Sequence, residues 1–130
     1  MRSVDGALLQ QNRGAFDERV KAIAARRGVG VRVDAVSEEE PVPVPRAVQA
    51  LLEAVVRDLG LPVRRLPSFA GHDGNQIARI APIGMLFVPS RGGRSHCPEE
   101  WTDLADVALG VQALGEALVR FDAGPATALP

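Results

Sequence analysis

The chain reads as an α/β protein, on three observations. Three long stretches carry apolar residues at helical spacing, and short apolar runs bounded by glycine and proline lie between them. An acidic, proline-rich segment then divides the 130 residues into unequal parts. The resulting order is helix–strand, linker, then helix–strand–helix–strand–helix.

The first predicted helix runs from Ala7 to Arg27, with Leu8, Leu9, Phe16, Val20, Ile23 and Ala24 at roughly helical spacing and Gly28 as C-cap. Val29 to Val36 alternates in the manner of a half-buried, antiparallel strand. The stretch SEEEPVPVP cannot continue a helix or occupy a central strand, so it marks a boundary. A helix follows over Arg46 to Leu59, closed by Gly60, and LPVRRLPS is a short strand with Val63 and Leu66 inward. FAGHDGNQ is a glycine-rich loop, and Gln76 to Ile80 begins a short helix stopped by Pro82. GMLFVPS is a continuous apolar run suited to a strand buried on both faces, with the loop RGGRSHCPEEW after it. Thr102 or Asp103 caps the last helix, which extends through Val119, and the tail DAGPATALP is expected to fray. The second part is a βαβ-like pattern with a parallel sheet, whereas one helix and one strand before the linker lack sheet partners of their own.

Composition narrows the function. A formal net charge of -1 offers no basic surface for phosphates, and an aromatic content of 4% offers few stacking platforms. Nucleic acid is therefore not an expected partner. Cys97 is the single cysteine, so no internal disulfide forms. With no signal-peptide core and no apolar run of membrane-spanning length, a cytoplasmic protein with no membrane partner is the expectation.

Both histidines fall in loops at the ends of predicted strands, His72 after LPVRRLPS and His96 after GMLFVPS. Open α/β sheets bind ligands at the carboxyl ends of their strands. Gly71 and Gly74 flank His72, and Gly92 and Gly93 precede His96, allowing close backbone approach. A lone loop histidine is more often a surface or capping residue, and the placement of both makes a ligand role about as good a reading.

The string LPSFAGHDGNQIARIAPIGMLFVPSRGGRSHCPEEWT resembles the late signature of the amidase branch of the peptidase M20 family. That branch holds N-carbamoyl-L-amino acid hydrolases, allantoate amidohydrolases, ureidoglycolate-type hydrolases and β-ureidopropionases. The likeness covers about Pro41 to Arg120 and runs in order through the GHD loop, the ARI-P helix, the MLFVPS strand and the SH-PEEW loop. It implies the carboxyl-terminal part of a zinc-peptidase-like α/β catalytic domain, residues 40–130. Residues 1–39 would be the last helix and strand of an α+β lid, or dimerisation, domain. The implied reaction is metal-dependent hydrolysis of a C–N bond in an N-carbamoyl or ureido acid, by a metal-bound hydroxide with a glutamate outside this chain as base.

By the same resemblance His96 matches the last metal ligand, for Zn²⁺ or Mn²⁺. His72 matches a histidine that contacts substrate near the scissile amide and stabilises the developing oxyanion, and Gly71 adds a backbone N–H there. Asp73 orients His72 or caps the following helix. Phe69, Gly74 and Cys97 depart from the family's usual residues without removing a matched one; Phe69 narrows the pocket, and Cys97 is a candidate reactive thiol or adventitious ligand. Glu99 and Glu100 are candidates for a general base, but their position before a helix favours a structural role at its dipole. Trp101 is expected to be buried between loop and helix. Arg79 is read as an exposed helical arginine ahead of a binder of a substrate carboxylate, and Arg91 and Arg94 either draw anions to the site or are solvated loop charges. One imidazole does not hold a catalytic metal, so the chain alone is expected to bind none stoichiometrically and to be inactive. Its expected partners are a missing amino-terminal half or a second copy. The competing readings are a split-enzyme subunit and a non-catalytic module dimerising through Val29 to Val36.

Overall fold

The computed structural model describes residues 1–37 and 39–123. They form four α-helices and one 3-10 turn: α1 (Gly6–Arg27), α2 (Arg46–Asp58), α3 (Gly74–Ile77), the turn Arg91–Gly93 and α4 (Leu104–Ala123). The chain divides into two compact units, Met1–Pro43 with Pro67–Gly71, and Val44–Leu66 with His72–Pro130. Among the described residues no helix is long and apolar enough to cross a membrane. Most of the tail expected to fray lies outside the described residues; its first two residues close α4.

In the first unit, Asp5 caps α1 by accepting the Leu8 N–H at 3.1 Å. Arg26 and Arg27 in the last turn suit the negative end of the helix dipole. The helix stops at Gly28, which takes the left-handed conformation (φ 64°) foreseen for it. Burial departs from expectation: Ala24 is the helix's buried residue, while Leu8 and Phe16 stand about half exposed. A single helix has no second apolar layer within its unit to cover them.

The second unit is organised by α2 and α4. Val55 is fully buried against Ala113 and Ala117 of α4, with Leu52, Leu59 and Leu86 around them. Two alanines four residues apart give α4 a smooth face that α2 can approach closely. The Arg120 guanidinium donates to Asp58 at 2.6 Å and ties the ends of the two helices together. At the end of α2, Leu61 N–H donates to Val56 O (3.1 Å) and Gly60 N–H to Arg57 O (2.9 Å), the bond pair that a left-handed residue at Gly60 permits. Arg65 reaches back to Glu53, and its hydrogen bond and positive charge hold the Glu53 carboxyl below the ordinary carboxylate range.

The three predicted strands, over Val29 to Val36, LPVRRLPS and GMLFVPS, form no β-ladder among the described residues. Residues 29–35, 61–69 and 82–90 carry no helix, turn or bend. A strand exists as secondary structure only when a neighbour takes up its N–H and C=O groups. Among the described residues none of the three segments has such a neighbour. The helical half of the α/β expectation is thus formed and the sheet is not.

The 82–90 segment crosses the helix pair at two glycines. A Cβ on Gly84 would stand 2.5 Å from Val48 Cγ1, and one on Gly110 would stand 2.6 Å from Val88 Cγ1. Gly115, by contrast, has nothing within 4 Å. Gly84→Ala is expected to destabilise by about 1–3 kcal/mol through overpacking, whereas Gly115→Ala stabilises by about 0.5–1 kcal/mol through helix propensity. Thermal unfolding followed by circular dichroism checks both signs.

Candidate functional site

Both histidines belong to the second unit. Residues 72–74 form the entry to α3. The His72 carbonyl accepts from Asn75 N–H (2.9 Å), and the Asp73 carbonyl accepts from Gln76 and Ile77 N–H (2.9 and 3.2 Å). The Asp73 side chain makes no capping bond, so the backbone alone starts this short helix. His72 is half-buried. Gly74 touches Ile83, whose Cδ1 would lie 3.3 Å from an added Cβ. Gly71, which the contacts group with the first unit, is exposed, with open space where a Cβ would stand.

The second loop, residues 90–103, is short of apolar cover and is braced by polar bonds instead. Its base is closed by Arg91 N–H donating to Trp101 O at 2.8 Å. Gly92 and Gly93 both take positive φ (65° and 66°) in the turn, and Ser90 Oγ donates to the Arg94 carbonyl at 2.6 Å. Asp103 is the hub: one oxygen, Oδ1, accepts from Arg91 Nη2 (2.7 Å) and from Trp101 Nε1 (3.0 Å). Arg91 also lies over the Trp101 ring at 5.8 Å. The indole N–H first, and the Arg91 guanidinium second, hold the Asp103 carboxyl below its ordinary value.

A folded-state pKa depressed in this way favours the folded loop above the ordinary Asp pKa, and the contribution is lost as pH falls through the depressed value. Trp101 is the sole tryptophan. Its fluorescence is therefore expected to change with a midpoint below pH 3.8, the ordinary value. Asp103→Asn is expected to abolish that transition. A midpoint at or above the ordinary value would contradict the arrangement.

His96 sits in this loop with φ 57°, and it is the non-glycine residue with positive φ among the described residues. Left-handed backbone costs a β-carbon-bearing residue roughly 1–2 kcal/mol, so something must hold it. Glu100 does so: its Oε2 accepts the His96 N–H at 2.6 Å, while Glu100 N–H donates to Cys97 O at 3.0 Å. Glu99 meanwhile pairs with Arg94 at 3.6 Å. These bonds correct several expectations. Glu100 braces His96, a role the sequence reading did not assign to it. Arg91 and Arg94 are loop braces. Trp101 is about half exposed, because Asp103 holds its N–H at the surface. The spacing of Glu100 four residues after His96 was the signal available in the sequence. Glu100→Ala is expected to release the left-handed backbone, seen as a change in the His96 amide and Cα shifts by NMR with the helices intact.

Among the described residues no three His, Cys, Asp or Glu side chains gather as a metal-holding group. His96 is exposed and Cys97 half-buried beside it. The ligands present therefore do not by themselves fit a catalytic metal, which needs three or four. What the two loops offer is one imidazole on a rigid, hydrogen-bonded loop and a second at a helix entry.

Comparison with known proteins gives this arrangement its context. The model of peptidase family M20/M25/M40 matches residues 6–120. An N-carbamoyl-L-amino acid amidohydrolase of Geobacillus stearothermophilus is 41% identical over 100 residues, covering 77% of this chain and 24% of that protein. An allantoate amidohydrolase of Bacillus subtilis is 36% identical over 102 residues (78% and 25%), and one of Escherichia coli is 34% identical over 120 residues (92% and 29%). The chain thus spans about a quarter of the length of these curated relatives. The match over most of its residues shows that the chain belongs to peptidase family M20/M25/M40, among relatives that are hydrolases of C–N bonds.

Proposed function

We propose that this chain is the carboxyl-terminal part of a metal-dependent amidohydrolase that cleaves a C–N bond of N-carbamoyl or ureido acids. The observation that supports it most is the SH-PEEW loop: His96, which the resemblance matches to a metal ligand, takes left-handed backbone braced by Glu100 of the same motif. The named activities of the relatives supply the substrate class. Residues 1–39 belong on this reading to the end of a lid and residues 40–130 to the catalytic domain. One boundary between compact units, at Pro43–Val44, lies near that division, while Pro67–Gly71 group with the first unit.

On this reading His72 donates a hydrogen bond to the carbonyl oxygen of the scissile group as negative charge builds there, and the Gly71 N–H is a second donor. Orientation by these donors favours the tetrahedral state over the planar substrate. His96 is one ligand of a Zn²⁺ or Mn²⁺ site whose other ligands lie outside this chain. The glutamate that removes the proton from water also lies outside it. The same reading has the enzyme work in the cytoplasm, and the single, free cysteine of this chain supports it.

Metal analysis tests the incomplete site. Purified alone and dialysed against Zn²⁺ or Mn²⁺, the chain is expected to hold well under one equivalent and to hydrolyse neither N-carbamoyl amino acids nor allantoate. Stoichiometric metal with turnover by the chain alone would overturn the reading.

A further inference from the structure

No residue of the 90–103 loop is buried, so apolar packing does not fix its shape. Hydrogen bonds fix it, in two tiers. The inner tier is the brace on His96, whose N–H donates to Glu100 Oε2 at 2.6 Å. That brace directs the imidazole only as firmly as the main chain at Glu100 is itself held. The outer tier holds it through the next residue. The Trp101 carbonyl accepts the Arg91 N–H (2.8 Å), and the Trp101 indole Nε1 donates to Asp103 Oδ1 (3.0 Å). The same oxygen accepts from Arg91 Nη2 at 2.7 Å. Asp103 therefore joins the two limbs of the loop, Arg91 where the chain leaves the 82–90 segment and Trp101 where it returns.

Asp103 is also where the loop meets the packed part of the unit. Its carbonyl accepts the N–H groups of Asp106 and Val107 (2.9 and 3.1 Å), which starts α4. Further along that helix, Ala113 and Ala117 pack against the buried Val55. We infer that Asp103 is a positioning residue for the proposed metal centre: through Arg91 and Trp101 it fixes Glu100, and through Glu100 the left-handed backbone from which His96 presents its imidazole. This role rests on the functional reading above, which makes His96 a ligand. Position and stability separate at this residue. The Arg91 and Asp103 side chains are 66% and 60% exposed, and exposed ion pairs contribute little to folding. Groups that orient a metal ligand, by contrast, set metal affinity without touching the metal. Removing the Asp103 carboxylate loosens the loop and weakens the metal site while the α2–α4 core stays as it is.

NMR relaxation on the full chain gives the first reading. The His96 and Glu100 amides are expected to be rigid, with order parameters of about 0.85, and to fall below about 0.6 in Asp103→Ala. The Ala113 and Ala117 amides stay unchanged. Arg120→Ala cuts the ion pair to Asp58 at the far end of α4 and is expected to leave His96 as it is. Asp103→Asn keeps an acceptor oxygen for the indole N–H and is expected to restore part of the rigidity. The second reading uses a chimera in which this chain replaces the matching part of the Geobacillus stearothermophilus relative. There Asp103→Ala is expected to raise the dissociation constant for Zn²⁺ by about 10–100-fold, with kcat and KM both restored at saturating Zn²⁺. Rigid His96 and Glu100 amides in Asp103→Ala overturn the proposal. So does a loss of turnover that saturating Zn²⁺ fails to restore, the mark of a merely structural defect. Loosened amides with unchanged Zn²⁺ affinity overturn it as well, and His96→Ala in the same chimera then separates two failures. Metal retained without His96 removes the functional reading, whereas metal lost removes the positioning role alone.

Discussion

In a chimera where this chain replaces the matching 24% of the Geobacillus stearothermophilus relative, His96→Ala is expected to lower kcat/KM by more than about 100-fold and to reduce bound metal. Substitutions around a metal's ligands typically cost about 10–100-fold, and loss of a ligand exceeds that. His72→Ala is expected to cost about 100–1,000-fold with metal content unchanged, the effect of removing one donor to an oxyanion. The two histidines are thus separated by metal analysis and not by rate alone. An H96A chimera that retains full metal and turnover would remove His96 from the ligand set. An H72A chimera that loses metal would move His72 into it. Glu100→Ala should fall between wild type and His96→Ala, because it releases the backbone that aims the imidazole while keeping the imidazole itself.

The legible parts of this sequence were those that a short segment decides for itself. Gly28 and Gly60 were readable as helix ends because only glycine takes left-handed backbone at little cost. The stripe that places Val55 in the core was readable from helical periodicity. The strands were readable as apolar runs, yet a sheet exists only where neighbouring strands pair, and the described residues leave these runs unpaired. Trp101 misled because side-chain bulk argues for burial, while the Arg91–Asp103 pair beside it favours the surface. The left-handed backbone at His96 had no signal of its own; only the partner, Glu100, was written into the motif. Likewise the two histidines were singled out by resemblance alone, and the further ligands belong to the proposal above.

Two substitutions one residue apart should have opposite effects on the chain. Ala117 is buried against Val55, whereas Leu118 is 61% exposed on the other side of α4. Leu118 belongs to a stripe, Leu104, Val107, Val111, Leu114, Leu118 and Phe121, spaced three and four residues apart and exposed throughout. Such a face favours association of the isolated chain, because burying each leucine contributes about 1.5–3 kcal/mol. Leu118→Glu combined with Leu114→Glu is expected to keep the helical signal and to raise the concentration at which the chain stays monomeric by about 100-fold, since each 1.4 kcal/mol is tenfold. Ala117→Glu, in contrast, buries an unpaired charge at the α2–α4 contact and is expected to abolish cooperative unfolding, because an ionised carboxylate there has no partner. Sedimentation velocity and circular dichroism on the three proteins decide the matter. Loss of helix in the Leu114/Leu118 variant would mean that the stripe is covered in solution. Tolerance of Glu at 117 would mean that α4 does not rest on Val55, and the core drawn from these helices would have to be redrawn.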